Sequence, residues 1–348
     1  MTVILRNTRV LIALSALCLL VSCTSADRYV TLSGYAQGGT YAVKINMKDV
    51  SVPVKEVQDS VDALLSRIDK SLSGYNKNSI LSRFNAGETV IPDSLFLDIY
   101  DYAYEIFEAT NGVVDVASAP LFDLWGFGFT TDSLPSDEDV NKVLATAGMA
   151  RLKRNMQSPL NGAMLLNSGS EELPKLNYNA IAQGYSCDVV ARYLYSIGVK
   201  DMLVDIGEIF CDGFNPSGRP WTVGIDRPVD GNNTPGEQIQ GIFRAPSGPH
   251  GIVTSGNYRK YYVRDGKKYA HTIDPRTGYP VGHNLLSATI VAGNATIADA
   301  YATYCMVVGL EQSIALLQSR EDLEGCLIYD KDGTYESWCS EGFVLESL

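Results

Sequence analysis

The densest group of polar side chains that could do chemistry is the run His271-Thr272-Ile273-Asp274-Pro275-Arg276-Thr277-Gly278. It joins an imidazole, a carboxylate and a guanidinium around a turn punctuated by proline and glycine. An imidazole titrates near neutral pH and can accept a proton, and a guanidinium can hold phosphate oxygens. Taken alone, the run is equally compatible with a plain capped surface turn. His271 is nevertheless the candidate catalytic base.

A second candidate is the pair Asp299 and Thr303, which lie four residues apart in a predicted helix, Thr296–Val308. This spacing places a carboxylate and a hydroxyl on one helix face. Hard oxygen ligands suit Mg²⁺, which keeps open positions for phosphate and water. Alone, the spacing is more often an exposed helix face.

A third candidate is the segment Asn177–Gly184, which leads into a predicted helix, Ala180–Ile197. Backbone N–H groups at a helix start can bind an anion, and a loop carbonyl there can reach a cation. The alternative is that Asn179 is a plain N-cap.

Several common sites are absent from the sequence. It contains no GxxxxGK[ST] loop, no GxGxxG after a strand, no HExxH and no GxSxG. Three histidines exclude a His-rich metal site, and the cysteines form no CxxC pair, which argues against zinc. Beyond residue 23 five cysteines remain, so at least one thiol is free, and their pairing is open. Cys187 and Cys305 read equally well as small buried hydrophobes.

The elements that must position these residues alternate between helix and strand without a firm domain boundary. Mixed elements and short loops favour an α+β fold with a mostly antiparallel sheet and packed helices. The segment Pro228–Pro249 reads as an insertion or flap. The other predicted strands are Tyr35–Asn46, Met202–Ile206, Trp221–Ile225, Ile252–Thr254, Tyr258–Arg264, Ser287–Ala292 and Gly325–Tyr329, and the other predicted helices are Val54–Leu72, Asp98–Thr110, Asp137–Ala147 and Glu311–Gln318.

The first residues predict export. Arg6 and Arg9 precede an apolar run, Val10–Leu20, which is too short to span a bilayer and ends in Leu-Val-Ser before Cys23. This is the pattern of a lipoprotein signal over residues 1–22, with lipidation of Cys23 and a tether over 23–28. An ordinary secretory signal is the alternative. Residues 29–348 form the expected domain, on the outer (periplasmic) side of a bacterial membrane. The net charge of −12 argues against nucleic-acid binding.

Nine stretches, in order, resemble the ApbE family of flavin transferases, and that family has an ApbE-like or T-fold-like fold. The match runs from about Gly34 to Gly309. The stretches are Gly34–Tyr41, Leu72–Asn85, Asp115–Leu121 with Leu124–Gly128, Asn177–Asp188, Asp205–Gly207, Pro220–Ile225, Thr254–Arg259, His271–Gly278, and Ala298–Ala300 with Thr303.

The resemblance implies a Mg²⁺-dependent enzyme that moves FMN from FAD onto a Thr or Ser hydroxyl of a target protein and releases AMP. Implied targets are subunits of NADH:quinone oxidoreductases and Rnf-type complexes. The implied metal ligands are the Ala180 carbonyl, Asp299 and Thr303, and His271 matches the family's essential histidine. The implied FAD-binding residues are Gln37, Tyr75, Val114, Asp115, Asn177, Gln183 and Ile273.

Three residues depart from the family pattern. Asn177 stands where the family usually has Asp, Gln183 where it has Lys, and Ala302 where some members have an acidic residue. Two other functions stay open at this point: a metal-dependent FAD pyrophosphatase that yields FMN and AMP, and a flavin-binding lipoprotein without turnover. A purely structural envelope lipoprotein does not explain the ordered stretches.

Overall fold

The computed structural model describes residues 28–127, 134–152, 174–229, 231–232, 234, 236–258, 261–264, 267–270 and 272–347. Within them the helices are α1 Val54–Leu72, α2 Ile80–Asn85, α3 Ser94–Ala109, α4 Ala119–Leu124, α5 Asp137–Leu144, α6 Ala182–Ser196, α7 Ala295–Val308 and α8 Leu310–Ser319. The strands are β1 Tyr29–Ala36, β2 Gly39–Asn46, β3 Met202–Asp205, β4 Ile209–Asp212, β5 Thr222–Asp226, β6 Ile239–Arg244, β7 His250–Gly256, β8 Tyr261–Arg264, β9 Lys267–Ala270, β10 Ile273–Asp274, β11 Tyr279–Pro280, β12 Leu285–Ala292, β13 Glu324–Lys331, β14 Thr334–Cys339 and β15 Leu345–Glu346.

The central feature is an eight-stranded sheet in the order β1-β2-β3-β4-β7-β12-β13-β14. Every neighbouring pair in it is antiparallel. The predicted α+β fold with a mostly antiparallel sheet is therefore confirmed. No helix in the described part of the chain is long and apolar enough to cross a membrane.

The two faces of this sheet are covered differently, because side chains alternate along a strand. On β7, Val253 belongs to the apolar cluster with α7 and α8, whereas its neighbour Ile252 belongs to a cluster with β5, β6 and Phe343. On that second face β5, β6 and β15 form a three-stranded sheet, and Phe243 stacks on Phe343 at 4.2 Å. Helices α1, α6 and α7 thus lie on one face and the small sheet on the other.

Helix α1 has the bounds that its sequence predicts, Val54–Leu72. Its apolar residues recur at a spacing of three or four and are buried, which gives one continuous face toward the sheet. Helix α7 differs because ten of its fourteen residues are buried, four of them alanines. Small side chains allow it to lie close to both β7 and α6.

Two predicted elements were wrong. The strand Tyr35–Asn46 is a hairpin of β1 and β2, because Gln37 and Gly38 turn the chain with φ values of 52° and 81°. The segment Pro228–Pro249 is not simply a flap, because its second half contains β6, which pairs with β5 and β15.

The cysteine pairing that the sequence left open is also visible. Cys326 and Cys339 lie directly opposite each other on β13 and β14 and form a disulfide. Cys187, Cys211 and Cys305 are buried free thiols.

Candidate active site

The candidate site is built around the place where the first turns of α6 and α7 meet. Gly184 lies in the first turn of α6, and a Cβ atom there would be 2.2 Å from the Ala295 carbonyl oxygen of α7. Glycine is therefore required for the two backbones to approach this closely. The contact brings the first turn of α6 next to Asp299 on α7.

Asp299 is buried, and its Oδ2 accepts a hydrogen bond of 3.0 Å from the Gly184 N–H. Burial raises the pKa of Asp299 well above its usual range; the Gly184 hydrogen bond opposes this rise, and the nearby Asp188 carboxylate adds to it. Among the described residues, no Lys or Arg side chain forms an ion pair with it. A bound cation would therefore stabilise the ionised form of this carboxylate.

The other two expected metal ligands lie on the same two segments, Thr303 on α7 and Ala180 just before α6. Thr303 is half-buried one helical turn after Asp299, and Ala180 is half-buried four residues before Gly184. Together the three residues offer one carboxylate, one hydroxyl and one carbonyl, a hard oxygen set that fits Mg²⁺ with substrate and water completing the octahedron. In the described ranges, no group of three or more His, Cys, Asp or Glu could hold a metal.

Gln37 connects the β1–β2 turn to α6. Its Nε2 donates a hydrogen bond to Ser186 Oγ, which in turn donates to the Ala182 carbonyl at 2.7 Å. The non-glycine residue Gln37 has a positive φ of 52°, and this bond helps to hold it there. The structure therefore places Gln37 beside the beginning of α6.

Asp115 and Val114 lie on the loop after α3. The Asp115 carboxylate accepts hydrogen bonds from the N–H groups of Ala117 and Met149, and burial raises its pKa. Asp115 also lines a cleft of about 210 Å³ together with Pro275 and Arg276. Val114 is buried in the core, and its N–H donates a hydrogen bond to Thr110 Oγ1 at 3.2 Å.

Ile273 lies in β10, directly before the turn of Pro275 and Arg276 that lines this cleft. Ile273 is buried against Leu121, Trp125 and Val140, and Arg276 makes a bidentate ion pair with Asp274 at 2.9 and 2.8 Å. The sequence left the role of this Arg open; in the structure its guanidinium is held by its own turn.

Of the three residues that depart from the family pattern, Ala302 is buried in α7, and the other two hydrogen-bond to backbone. Asn177 Oδ1 accepts from the Asn179 N–H at 2.9 Å, a bond that an aspartate could also accept. Gln183 Nε2 donates to the Ile206 carbonyl at 3.3 Å. Its amide lies so close to Gly207, whose φ is 94°, that a Cβ there would be 2.3 Å from Nε2. The local structure is thus preserved while the positive charge is absent.

The remaining expected site residues are not brought together by the described contacts. Tyr75, on the loop between α1 and α2, is 66% exposed, so its ring face is accessible to a ligand. His271 and Cys23 lie outside the described residues. Sequence reasoning gave no role to Asp188, although an acid one turn after a helix glycine was a usable signal.

Comparison with known proteins agrees with this geometry. Residues 37–327 match the model of the ApbE family. The chain is 33% identical over 341 residues to the FAD:protein FMN transferase of Vibrio cholerae serotype O1, covering 96% of this chain and 97% of that protein. It is 32% identical over 328 residues to the FAD:protein FMN transferase of Escherichia coli K12, covering 92% and 90%.

Two solved structures share the fold. The flavin transferase ApbE from Vibrio cholerae has a TM-score of 0.74 at 32% identity, over 90% of this chain and 98% of that chain. The apo form of the Pseudomonas stutzeri flavinyl transferase ApbE has a TM-score of 0.77 at 29% identity, over 91% and 96%. The chain belongs to the ApbE family.

Proposed function

We propose that this chain transfers FMN from FAD to a Thr or Ser hydroxyl of a target protein and releases AMP. The observation that carries the proposal is the junction of α6 and α7, where the buried Asp299 carboxylate, which has no cationic partner among the described residues, meets a helix N-terminus. Relatives that match over more than nine-tenths of this chain are named FAD:protein FMN transferases. The same junction is thus the expected place for the pyrophosphate of FAD.

The proposed reaction is a displacement at one phosphorus atom. The acceptor oxygen forms a bond to the FMN phosphorus, and the bond from that phosphorus to the bridging oxygen breaks. The electron pair leaves with AMP, and the hydroxyl proton goes to a base or to the leaving phosphate. We assign the accepting base to His271, because an imidazole can take a proton near neutral pH.

The Ala180 carbonyl, the Asp299 carboxylate and the Thr303 hydroxyl would hold Mg²⁺. When bound, the ion supplies positive charge against the two negative charges of the pyrophosphate. The protein's own contribution is to aim these oxygens. The Gly184 N–H fixes one oxygen of Asp299, and the dipole of α6 favours negative charge near its N-terminus.

FAD would lie against Gln37, Tyr75, Val114, Asp115, Asn177, Gln183 and Ile273. The exposed ring of Tyr75 is suited to stacking on an aromatic ring of the ligand. Asp115, Pro275 and Arg276 border one cleft, which gives a walled surface for one end of the molecule.

We further propose that the chain works at the bacterial envelope, anchored by lipid on Cys23. Its acceptors would be membrane flavoprotein subunits of the NADH:quinone oxidoreductase or Rnf type. An anchored enzyme and a membrane-bound acceptor share one surface, which raises their effective concentration toward each other.

The test is intact-mass measurement after the full chain, purified in detergent, is mixed with FAD, MgCl₂ and a domain carrying an acceptor Thr. We expect the acceptor to gain the mass of an FMN phosphoester, and this gain to be lost with EDTA or with Asp299→Ala. Free FMN and AMP without acceptor modification would instead indicate the pyrophosphatase. FAD retained without either product would indicate a flavin-binding protein.

A further inference from the structure

Helices α6 and α7 cap each other through two aspartates. Asp299 of α7 accepts the Gly184 N–H in the first turn of α6. Asp188 of α6 accepts the N–H groups of Ala295 and Thr296 in the first turn of α7, each at 2.8 Å, and the Thr296 hydroxyl. Each helix thus receives at its N-terminus a carboxylate from the other, where the helix dipole favours negative charge.

Asp188 completes the cap of α7. The first N–H groups of a helix have no partner within the helix. The Asn294 side chain accepts the Ile297 N–H at 2.8 Å, whereas the N–H groups of Ala295 and Thr296 donate to Asp188. Because Asp188 and these N–H groups are buried, water cannot readily replace the hydrogen bonds if the carboxylate is removed.

The backbone of α7 is also held from two sides at the same point. A Cβ at Gly184 of α6 would lie 2.2 Å from the Ala295 oxygen, and a Cβ at Gly251 of β7 would lie 2.3 Å from the Ala295 nitrogen. These contacts fix how close α7 comes, but glycines cannot fix its position along its own axis. The directional hydrogen bonds to Asp188 can.

We propose that Asp188 is a positioning residue for the divalent-cation site, because it sets the register at which Asp299 and Thr303 of α7 face the Ala180 carbonyl before α6. The inference rests on the proposed function. It assigns Asp188 no contact with metal or FAD. Asp188 acts through α7, as outer hydrogen-bond partners do when they orient metal ligands.

The test compares Asp188→Asn with wild type in the full chain, using MgCl₂ alone as the probe and the thermal midpoint as the readout. Asparagine keeps the size but presents N–H₂ where an oxygen accepted a bond. We expect the MgCl₂ concentration for half of the stabilising shift to rise by about tenfold or more. FAD affinity in EDTA should stay within about twofold, and kcat should recover at saturating MgCl₂.

The matched control is Asp98→Asn. Asp98 accepts hydrogen bonds from Tyr185 and Arg192 of α6, at 2.8 and 3.0 Å, and within the described residues it makes no hydrogen bond to α7. It should lower the thermal midpoint without changing the half-effect concentration of MgCl₂. If Asp188→Asn does not fold, Thr296→Val removes one donor to Asp188 and should produce a smaller shift in the same direction.

Three results would overturn the inference. If folded Asp188→Asn and Thr296→Val both keep the wild-type half-effect concentration of MgCl₂, this inference is wrong while the proposed function stands. The same conclusion follows if Asp98→Asn raises that concentration as much as Asp188→Asn does. A wild-type chain that shows no response to MgCl₂ would overturn the metal part of the proposed function and this inference with it.

Discussion

Asp188 and Asp299 lie on facing helices and are both buried, yet their charges are satisfied to different degrees. Asp188 accepts three hydrogen bonds, all from the first turn of α7. Asp299 accepts one, from Gly184, and burial raises its pKa strongly. The carboxylate that is poorly compensated by protein is the one suited to a metal, because a fully hydrogen-bonded carboxylate has little to gain from a cation.

Gln183 gives a residue-scale prediction about the missing positive charge. Gln183→Lys should tighten FAD binding by about fivefold at low salt, because an ammonium near the pyrophosphate adds roughly 1 kcal/mol of attraction. The lysine can still donate to the Ile206 carbonyl that Gln183 contacts at 3.3 Å. The dissociation constant of FAD, followed by flavin fluorescence at low and high salt, measures the effect.

Gln183→Met is the control for this change, since it removes the amide without adding charge. An equal gain in Gln183→Met, or a gain in Gln183→Lys that high salt leaves intact, would show that charge is not the cause.

At the scale of elements, the approach of α6 to α7 depends on the absence of one side chain. Gly184→Ala should cost about 1–3 kcal/mol of folding free energy, because its Cβ would meet the Ala295 carbonyl at 2.2 Å and the helices must separate. The separation should also weaken MgCl₂ stabilisation. Chemical denaturation with and without MgCl₂ measures both effects.

Gly293→Ala is the matched control, because a Cβ at Gly293, two residues before Ala295, meets nothing within 4 Å. It should leave stability within about 0.5 kcal/mol of wild type. A similar loss in both variants would mean that glycine flexibility, and not the close approach, is what matters.

The local sequence pattern predicts those helices and strands whose bounds are set by neighbouring residues. The spacing of apolar residues in Val54–Leu72 predicts the bounds of α1, and Gly309 after Val308 predicts the end of α7. The turn at Gln37 was missed because it is held by Ser186, which lies 149 residues away. β6 was missed because its pairing with β5 and β15 is a tertiary contact.

In the candidate site, too, some features follow from the local sequence pattern and others depend on contacts between distant residues. Asp299 and Thr303 are predicted from one helix face, whereas the cap that Asp188 gives to α7 joins residues 107 and 108 positions apart. No spacing within a single segment contains that contact. The family resemblance supplied the ligands, and the three-dimensional structure was needed to see what aims them.

At the scale of the whole molecule, the proposed lipid anchor on Cys23 would bound the distance of the domain from the membrane. Residues 24–28 lie between Cys23 and β1, which begins at Tyr29. Six extended residues span at most about 20 Å. A domain held this close can reach acceptors that project little from the same membrane.

The proposed anchor can be tested by labelling cells with a radioactive or clickable fatty acid and measuring the mass of the chain. We expect wild-type protein to begin at Cys23 and to carry the label, because more than one acyl chain is needed for stable anchoring. Cys23→Ser should lose the label and retain residues 1–22. Cys18→Ser alters a cysteine inside the apolar run and should behave as wild type. Label retained by Cys23→Ser, or a mature N-terminus at another residue, would refute the lipid anchor and leave an ordinary export signal as the explanation of this segment.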